Sequence, residues 1–290
     1  MTDPKMFRAL FDMDRAPVIP LSLQDIPLKA QDMVGKMSIS GVQPKLSLKL
    51  NKSKGELVLA PEGGEYILKP QIPQFPHTPE NENCCMDIAM ELAINVPPHC
   101  LLPLKDNTLA YVVKRFDRRG QEKIHQENFY QVLEKKDKYM GSIEEIGKKL
   151  REISTVPGLD VQLFFERVVF NFLIGNGDAH FQNYSITYPQ EGHIRLSPAY
   201  DIVCTKLVIA NEEDSALTLN GKRNNLTRAD FDALAEQLKI PEKIRYEKFN
   251  SKRDRIGELV ESSSLPADFQ QKFVEIVRLR YQRLGLSSPL

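Results

Sequence analysis

The stretch Gly175-Asn-Gly-Asp-Ala-His-Phe-Gln-Asn183 follows an apolar segment, residues 161–174, that is interrupted by Glu166, Arg167 and Asn171. The segment is too short and too polar to span a bilayer, so it predicts a buried helix. The two glycines of the stretch permit a tight turn, which suits a polar loop that is held on a rigid helix. An Asn-Gly turn that carries solvated polar side chains is the alternative interpretation.

Asp178 and Asn183 are the chemically informative residues of this loop. Their spacing, D-x-x-x-x-N, is that of a phosphoryl-transfer loop, in which the aspartate takes the proton of the acceptor hydroxyl. The asparagine can turn its amide oxygen to Mg²⁺. Asp201 lies 18 residues after Asn183, beyond the strand-like segment 193–196, where kinases carry a second metal-binding aspartate. An aspartate after a tyrosine is usually a turn residue, so the order of the residues carries this inference.

Lys69 is the candidate phosphate-binding lysine. It ends a predicted strand, 65–69, as the ATP-contacting lysine of kinases does. A solvated lysine at the end of a strand is the alternative. Glu82, at the start of the next predicted helix, can pair with Lys69, and Glu80 and Glu91 are the other acidic residues close by.

Two further segments suit nucleotide binding. The apolar strand Tyr111-Val-Val-Lys-Arg-Phe-Asp117 runs into a polar connector, where backbone groups of a hinge should hold adenine. The sequence has neither G-x-G-x-x-G nor G-x-x-x-x-G-K-[ST]. It has instead Gly35-Lys-Met-Ser-Ile-Ser-Gly-Val-Gln-Pro-Lys45, whose serines, glycines and lysines offer N–H groups and charge to phosphates. The serines are also candidates for phosphorylation.

The predicted elements indicate an α+β fold of two lobes, a strand-rich lobe over residues 1–115 and an all-helical lobe over 116–290. Residues 1–35 form an arm with one short helix. Alternating apolar residues and turn signals predict antiparallel strands. These strands are 45–50, 56–59, 65–69, 101–104 and 108–113. The predicted helices are 81–93, 143–152, 161–174, 228–238, 241–261 and 267–284, with Thr227 as an N-cap.

Composition restricts the function classes. Basic and acidic residues balance at 39 each, which argues against direct nucleic-acid binding. The histidines and cysteines lack metal-binding spacing, so we expect reduced, buried thiols. The run Lys135-Lys-Asp-Lys138 predicts a solvated surface. The first residues show no signal-peptide pattern. The sequence therefore favours a cytoplasmic protein that does not contact the membrane, with export left open.

Six strings together resemble a known family. They are Ser38-Ile-Ser-Gly-Val-Gln-Pro-Lys45, Tyr66-Ile-Leu-Lys-Pro70, Val113-Lys-Arg-Phe-Asp-Arg118, Ile124-His-Gln-Glu127, Gly175-Asn-Gly-Asp-Ala-His180 with Asn183, and Tyr200-Asp-Ile202. They resemble the HipA-like serine/threonine kinases of bacterial toxin–antitoxin systems. Asn128 and Gln182 stand where that family more often has Asp and Lys.

The resemblance implies a role for each site residue. Asp178 is the catalytic base, and Asn183 and Asp201 hold Mg²⁺. The residues implied for ATP binding are Ser40, Gly41, Val42, Gln43, Lys45, Lys69, Lys114, Arg115, Phe116, His180 and Asn183. Ser38 and Ser40 lie in the loop that family members autophosphorylate, which ejects the loop and disables ATP binding. An added charge of about −2 beside a triphosphate would have that effect.

The resemblance also implies partners. The early position of the serine loop resembles the compact HipT type, in which a small protein, HipS, acts as antitoxin beside a DNA-binding HipB. Family members phosphorylate aminoacyl-tRNA synthetases to halt translation, so we expect a tryptophanyl- or glutamyl-tRNA synthetase as substrate. A nucleotide-binding pseudokinase that serves as an interaction module is one alternative. A small-molecule kinase on the same lobes is another.

Overall fold

The computed structural model describes residues 4–32, 44–120 and 122–286 of the chain. It divides into two compact units: Met1–Asn83 with Pro97–Lys123, and Cys84–Val96 with Ile124–Leu290. We call them the first and the second unit. The lobe boundary between residues 115 and 116 stays a prediction.

An antiparallel sheet forms the centre of the first unit, as the alternating segments predict. Among the described residues it has the strand order β2-β1-β3-β5-β4. The strands are β1 (Leu46–Asn51), β2 (Glu56–Leu59), β3 (Tyr66–Pro70), β4 (His99–Pro103) and β5 (Leu109–Lys114). Each predicted strand is confirmed to within two residues at either end. A short hairpin follows, β6 (Arg118–Arg119) with β7 (Glu122–Lys123).

Two helices, where the sequence predicted one, complete the core of the first unit. They are α1 (Pro4–Phe11) and α2 (Asp25–Asp32). Phe7 and Phe11 of α1 and Ile26 of α2 share one apolar core with the sheet. The Tyr66 hydroxyl donates to the carbonyl of Leu10 at 3.0 Å, which satisfies its polar end inside that core.

The helix α3 (Thr78–Glu91) begins three residues before the predicted start at Asn81. A proline in the first turn of a helix lacks only a hydrogen bond that the helix would not make, so Pro79 does not delay the start. The first residues of α3 belong to the first unit and its later residues to the second.

Helices dominate the second unit. They are α4 (Phe129–Val132), α5 (Ile143–Ile153), α6 (Pro157–Leu173), α7 (Arg228–Gln237), α8 (Glu247–Ser251), α9 (Arg253–Glu261) and α10 (Ala267–Arg283). The segment predicted as a buried helix is α6, and it starts earlier because Pro157 occupies its first turn. Thr227 is the N-cap of α7, as predicted. No helix in the described ranges is long and apolar enough to cross a membrane.

Two predictions for this half are wrong. It is not all-helical, because β8 (His125–Asn128), β9 (Ser185–Tyr188) and β10 (Arg195–Leu196) form a sheet in the order β10-β9-β8. These strands are short, and β8 pairs with a strand nearly 60 residues later, so no local pattern marks them. The helix predicted over 241–261 is broken into a 3₁₀ turn, α8 and α9. The Phe249 carbonyl accepts from the Tyr281 hydroxyl at 3.1 Å, outside the helical pattern.

Asp230 holds the start of α7 through a buried carboxylate. It accepts from Lys222 Nζ at 2.8 Å, from Asn220 Nδ2 at 2.9 Å and from the Thr227 N–H at 2.9 Å. Burial acts to raise the pKa of Asp230, but these donors outweigh it and lower the pKa to about 2. The folded state therefore binds the proton of Asp230 less tightly than the unfolded chain does.

This difference predicts a pH-dependent contribution to stability. A depressed carboxyl pKa contributes stability that is present above the unfolded pKa and is lost as the pH falls through the folded value. We expect on the order of 2 kcal/mol to be lost between about pH 4 and pH 2. Urea unfolding at stepped pH measures it. Asp230→Asn should remove this step, whereas Asp268→Asn, at an exposed position in α10, should keep it. An unchanged step in Asp230→Asn would contradict the assignment.

Candidate active site

The catalytic-loop stretch starts from a closed turn at the end of α6. The Gly175 N–H donates to the Phe172 carbonyl at 3.0 Å and the Asn176 N–H to the Asn171 carbonyl at 2.8 Å, the two bonds of a Schellman motif. Gly175 has φ +75, and a Cβ there would lie 2.9 Å from Cγ2 of Ile276 in α10. Both the conformation and the packing therefore require glycine.

A buried side-chain network fixes the next residues. Asn176 Nδ2 donates to Asn171 Oδ1 at 3.0 Å, and Asn171 Nδ2 donates to the Tyr184 hydroxyl at 3.1 Å. Asn176 Oδ1 accepts from the Asp178 N–H at 3.2 Å. Asn171, one of the polar interruptions of the apolar helix, is thus the residue that connects α6 to the loop.

Asp178 is exposed at the surface of the second unit. Its Oδ1 accepts from the Tyr139 hydroxyl at 3.0 Å. Burial and then the charge of Asp178 raise the pKa of Tyr139 to about 12, so the phenol is protonated at neutral pH and donates. The second carboxylate oxygen, Oδ2, remains for another donor.

Asn183 and Asp201 lie together, as their predicted metal role requires. Asn183 Nδ2 is 3.1 Å from Asp201 Oδ2, and Asn183 Oδ1 accepts from the His180 N–H at 3.0 Å. An amide oxygen has two lone pairs, so one stays open at Asn183. Asp201 is exposed and has φ +58, which is uncommon outside glycine. Amide and carboxylate oxygens are the donors that Mg²⁺ prefers, so the two residue types suit that ion, although the contact between them is made by the amide nitrogen of Asn183 and not by its oxygen.

Two contacts hold the segment that carries Asp201. The Tyr200 hydroxyl donates to the Gln182 carbonyl at 2.8 Å. Arg167 of α6, which is buried, donates from Nη2 to the Ser197 carbonyl at 2.7 Å. Burial lowers the pKa of Arg167 to about 10, which still leaves it charged at neutral pH. Arg167, like Asn171 a polar residue of the apolar helix α6, therefore also holds part of the candidate site in place.

His180 is buried beside Asn183 and Asp201. Its Nδ1 accepts from the Gln182 N–H at 3.2 Å, and its Nε2 lies 2.9 Å from Lys138 Nζ. A neutral ring has one acceptor nitrogen and can accept from one of these two donors, whereas a protonated ring can accept from neither, so the surroundings disfavour the imidazolium. Burial lowers the pKa of His180, and the charge of Lys138 lowers it further. The carboxylates of Asp178 and Asp201 act in the opposite direction without outweighing burial.

The charge run 135–138 lies at the surface, as predicted, with Lys136 and Asp137 exposed, but its two outer lysines are half-buried and make specific contacts. Lys138 contacts His180, as described. Lys135 forms an ion pair with Glu145, and its Nζ lies 4.8 Å from the ring centre of Phe181. The Phe181 N–H donates to the Lys138 carbonyl at 3.3 Å. The run has no periodicity, so nothing in its pattern indicated these contacts.

Thr205 and Glu212 were also missed from the sequence. The Gly177 N–H donates to Thr205 Oγ1 at 2.8 Å, and that hydroxyl donates to Glu212. Glu212 packs so closely that a Cβ on Gly177 would lie 2.5 Å from its carboxyl carbon. Burial raises the pKa of Glu212, and the charge of Asp178 raises it further. A second carboxyl group thus lies beside the loop.

In the first unit, Lys69 of β3 pairs with Glu82 of α3, one of the three acidic residues between which the sequence left the choice open. Lys69 Nζ lies 2.6 Å from Glu82 Oε1 and 5.8 Å from the ring centre of Tyr111. Both charged groups are buried, while Glu80 and Glu91 make ion pairs elsewhere. The lysine is thus held in a defined position.

Lys45 immediately precedes β1. Leu46 pairs with Leu68, so extending that register by one residue sets Lys45 opposite Lys69. The other residues of the predicted phosphate loop, and both candidate phosphorylation sites, lie outside the described residues. They are Ser38, Ser40, Gly41, Val42 and Gln43.

The connector predicted to contact adenine comprises Lys114, the last residue of β5, with Arg115 and Phe116. The Lys114 N–H donates to the Pro98 carbonyl at 2.9 Å and the Arg115 N–H to the Glu65 carbonyl at 2.8 Å. These two donors are therefore engaged within the first unit. The contact with adenine that the sequence predicts must therefore use the other backbone N–H and C=O groups of this segment.

The chain is similar to known proteins over a range that includes the catalytic-loop stretch. Residues 37–262 match the model of the HipA-like C-terminal domain. A Haemophilus influenzae protein named "Putative kinase" is 35% identical over 218 residues, which are 70% of this chain and 60% of that protein. The serine/threonine-protein kinase toxin HipA of Shewanella oneidensis is 24% identical over 243 residues, 75% of this chain and 55% of that one. The chain thus spans little more than half the length of these relatives.

Two solved structures share the fold. One is the Shewanella oneidensis complex of HipA, HipB and operator DNA, with TM-score 0.70 and 22% identity over 86% of this chain and 65% of the other. The other is the Helicobacter pylori proinflammatory kinase CtkA, with TM-score 0.62 and 14% identity over 87% of this chain and 92% of the other. These matches confirm the α+β, two-lobed, protein-kinase-like fold.

Gly175→Ala should destabilise the protein through both strain and contact. We expect a loss of about 2–4 kcal/mol in the free energy of unfolding, measured in urea. Gly192→Ala is the matched control, because Gly192 has φ +71 but an added Cβ would meet nothing within 4 Å. It should cost only about 1 kcal/mol. Equal losses in the two variants would contradict the packing argument at Gly175.

Breaking the pair Lys69–Glu82 on one side should cost more than removing both charges. We expect Glu82→Gln to lower the free energy of unfolding by about 3–5 kcal/mol, because it removes the negative charge that lies 2.6 Å from a buried ammonium. The double variant Lys69→Met, Glu82→Leu should recover most of that loss. The exposed pair Lys149–Glu152, changed in the same way, should give less than about 1 kcal/mol. A double variant as unstable as Glu82→Gln would refute the account.

Proposed function

The chain belongs to the HipA-like C-terminal domain family, and on that premise we propose that it is a serine/threonine protein kinase that uses Mg²⁺ and ATP. The observation that carries the proposal is the 3.1 Å contact between Asn183 and Asp201, on a loop that also presents Asp178. Phosphoryl transfer needs chiefly positioned charges and a base near the acceptor hydroxyl. These three residues are suited to both tasks.

Asp178 takes the proton of the acceptor hydroxyl as the oxygen attacks the γ-phosphate. Its exposure lets a protein side chain reach it, and its Oδ2 has no role in the bond to Tyr139. Asn183 and Asp201 hold Mg²⁺, which neutralises charge on the phosphate oxygens when bound. His180, held neutral by its surroundings, lies beside the phosphates without adding a full charge.

The groups of the first unit hold the nucleotide. Lys69, fixed by Glu82, directs its ammonium to the phosphates, and Lys45 supplies a second positive charge. The loop Ser40, Gly41, Val42 and Gln43 covers the phosphates with backbone N–H groups. The connector Lys114 to Phe116 contacts adenine through its backbone.

The acceptor is a protein serine or threonine. The kinase name of the Shewanella HipA relative supports that class. We further propose an aminoacyl-tRNA synthetase, tryptophanyl or glutamyl, as the target whose phosphorylation stops translation. Self-phosphorylation of Ser38 and Ser40 would end the activity, because a phosphate of charge about −2 repels the triphosphate.

Antitoxin proteins are the proposed partners. The solved complex of the Shewanella relative contains HipB and operator DNA, which supports a HipB-like DNA-binding partner for this chain. A small HipS-like antitoxin is the second proposed partner, on the resemblance to the compact HipT type. The balanced charge of the chain suits contact with DNA through such a partner rather than directly.

Asp178→Asn should abolish phosphoryl transfer while ATP still binds. A general base contributes about 10²- to 10⁴-fold, so label from γ-³²P-ATP should enter neither the chain nor proteins of a bacterial lysate at a measurable rate. Calorimetry of ATP binding in Mg²⁺ should give an affinity within about threefold of the wild type. Asp254→Asn, in the first turn of α9, is the control with unchanged labelling.

Unchanged labelling by Asp178→Asn would refute the catalytic assignment. ATP binding without any labelling by the wild type would favour a pseudokinase instead. Intact-mass and peptide mass spectrometry of the labelled wild type should find phosphate on Ser38 or Ser40. Labelled lysate proteins without modified serines would refute the self-inactivation part of the proposal.

A further inference from the structure

We propose that Tyr139 is a positioning residue for the base, which selects Oδ2 of Asp178 as the oxygen that receives the acceptor's proton. The inference rests on the proposed kinase function and extends it to a residue outside the catalytic-loop stretch. Tyr139 lies in the segment 135–141, nearly 40 residues before Asp178. Its direct contact with the base separates it from an ordinary surface tyrosine.

The hydroxyl contact distinguishes the two oxygens of Asp178. Tyr139 Oη lies 3.0 Å from Oδ1. Among the residues that the structure describes, this hydroxyl is the only hydrogen-bond donor to the Asp178 carboxylate. A carboxylate on an exposed loop rotates freely unless a donor holds one oxygen. With Oδ1 held, Oδ2 points in a constant direction and is the oxygen that an incoming hydroxyl meets.

Tyr139 is itself held from several sides, which a positioning residue requires. Its N–H donates to Asp137 Oδ1 at 2.7 Å, and its carbonyl accepts from Arg223. Its ring meets the His180 ring edge-on, with centres 5.1 Å apart. Lys138 Nζ lies 4.8 Å from the Tyr139 ring centre. Backbone and ring are thus both constrained, although the side chain is 37% exposed.

Gly141, the last residue of the segment 135–141, keeps this segment against the catalytic-loop stretch. Gly141 has φ +151, and a Cβ there would lie 2.6 Å from Cζ of Phe181 in the catalytic-loop stretch. The Thr218 N–H and hydroxyl both donate to the Gly141 carbonyl, each at 3.1 Å. The segment therefore packs closely on the loop, and the hydroxyl of Tyr139 has a fixed origin from which to reach Asp178.

Tyr139→Phe is the direct test, because it removes the hydroxyl and keeps the ring on His180. Self-labelling from γ-³²P-ATP, measured over a range of ATP concentrations, should give a maximal rate about tenfold below wild type. The ATP concentration for half-maximal rate should stay within about twofold, because the hydroxyl contacts the base and not the nucleotide. Loss of fold would change both quantities, so the split between them identifies positioning.

Tyr188→Phe is the matched control. The Tyr188 hydroxyl donates to Glu127 Oε2 at 2.5 Å, so the control also removes a phenol–carboxylate bond, between β9 and β8. It should leave the maximal rate within about twofold of wild type. Arg223→Gln is a second variant that keeps the Tyr139 hydroxyl and releases its carbonyl. We expect a fall of about threefold in maximal rate, with the half-maximal ATP concentration again unchanged.

The possible outcomes distinguish a failure of the kinase proposal from a failure of the role proposed for Tyr139. No labelling by the wild type, of itself or of lysate proteins, overturns the kinase proposal and this inference together. A wild type that labels, with Tyr139→Phe at the same maximal rate, overturns the inference alone. Phosphate on Tyr139 in peptide mass spectrometry also overturns it, because the hydroxyl would then be an acceptor and not a fixed donor.

Discussion

The buried pair Asn171 and Asn176 is the contact on which the candidate site depends. Asn171 lies in a helix whose other inward side chains are mostly apolar, and a buried amide without partners costs about 1–3 kcal/mol. Asn176 removes that cost by donating to Asn171 Oδ1, and it then accepts from the Asp178 N–H. The conformation in which the loop satisfies Asn171 Oδ1 is also the one that presents Asp178. The same hydrogen bonds therefore stabilise α6 and set the geometry of the loop.

A second carboxyl group, that of Glu212, lies beside this loop, and the charge of Asp178 acts on its pKa. Glu212 lies near Asp178, and like charges that are close together oppose each other's ionisation. Glu212 is half-buried, and its burial together with the charge of Asp178 raises its pKa, whereas exposed Asp178 keeps its contact with solvent and with the Tyr139 hydroxyl. The buried ring of His180 avoids a further positive charge beside Lys138. The unequal exposure of the two carboxyl groups thus assigns them different roles.

Sequence reasoning succeeded where the physical cause is local. Alternation marks the strands of the first unit, and a strand-end lysine followed by a helix limits the acidic candidates beside Lys69 to a few residues, of which Glu82 makes the pair. The loop itself follows from the D-x-x-x-x-N spacing after a buried helix. Reasoning failed where the cause is a contact between distant residues. The pairing of β8 with β9 and the bond from Thr205 to Gly177 join residues that no periodicity relates. For the run 135–138, the charges predicted exposure to solvent, and its contacts with the loop did not follow from the sequence.

These distant contacts limit what a short motif can establish. The Tyr139 hydroxyl donates to Asp178, and the preceding Gly177 donates to Thr205, so residues before and after the stretch in sequence fix two neighbouring residues within it. A chain could carry D-x-x-x-x-N in a solvated turn with neither contact, and the aspartate would then have no fixed direction. What distinguishes the two cases is a tyrosine nearly 40 residues upstream and a threonine nearly 30 residues downstream. The chemistry of the loop is therefore a property of the folded second unit, and the motif is only the part of it that is contiguous in sequence.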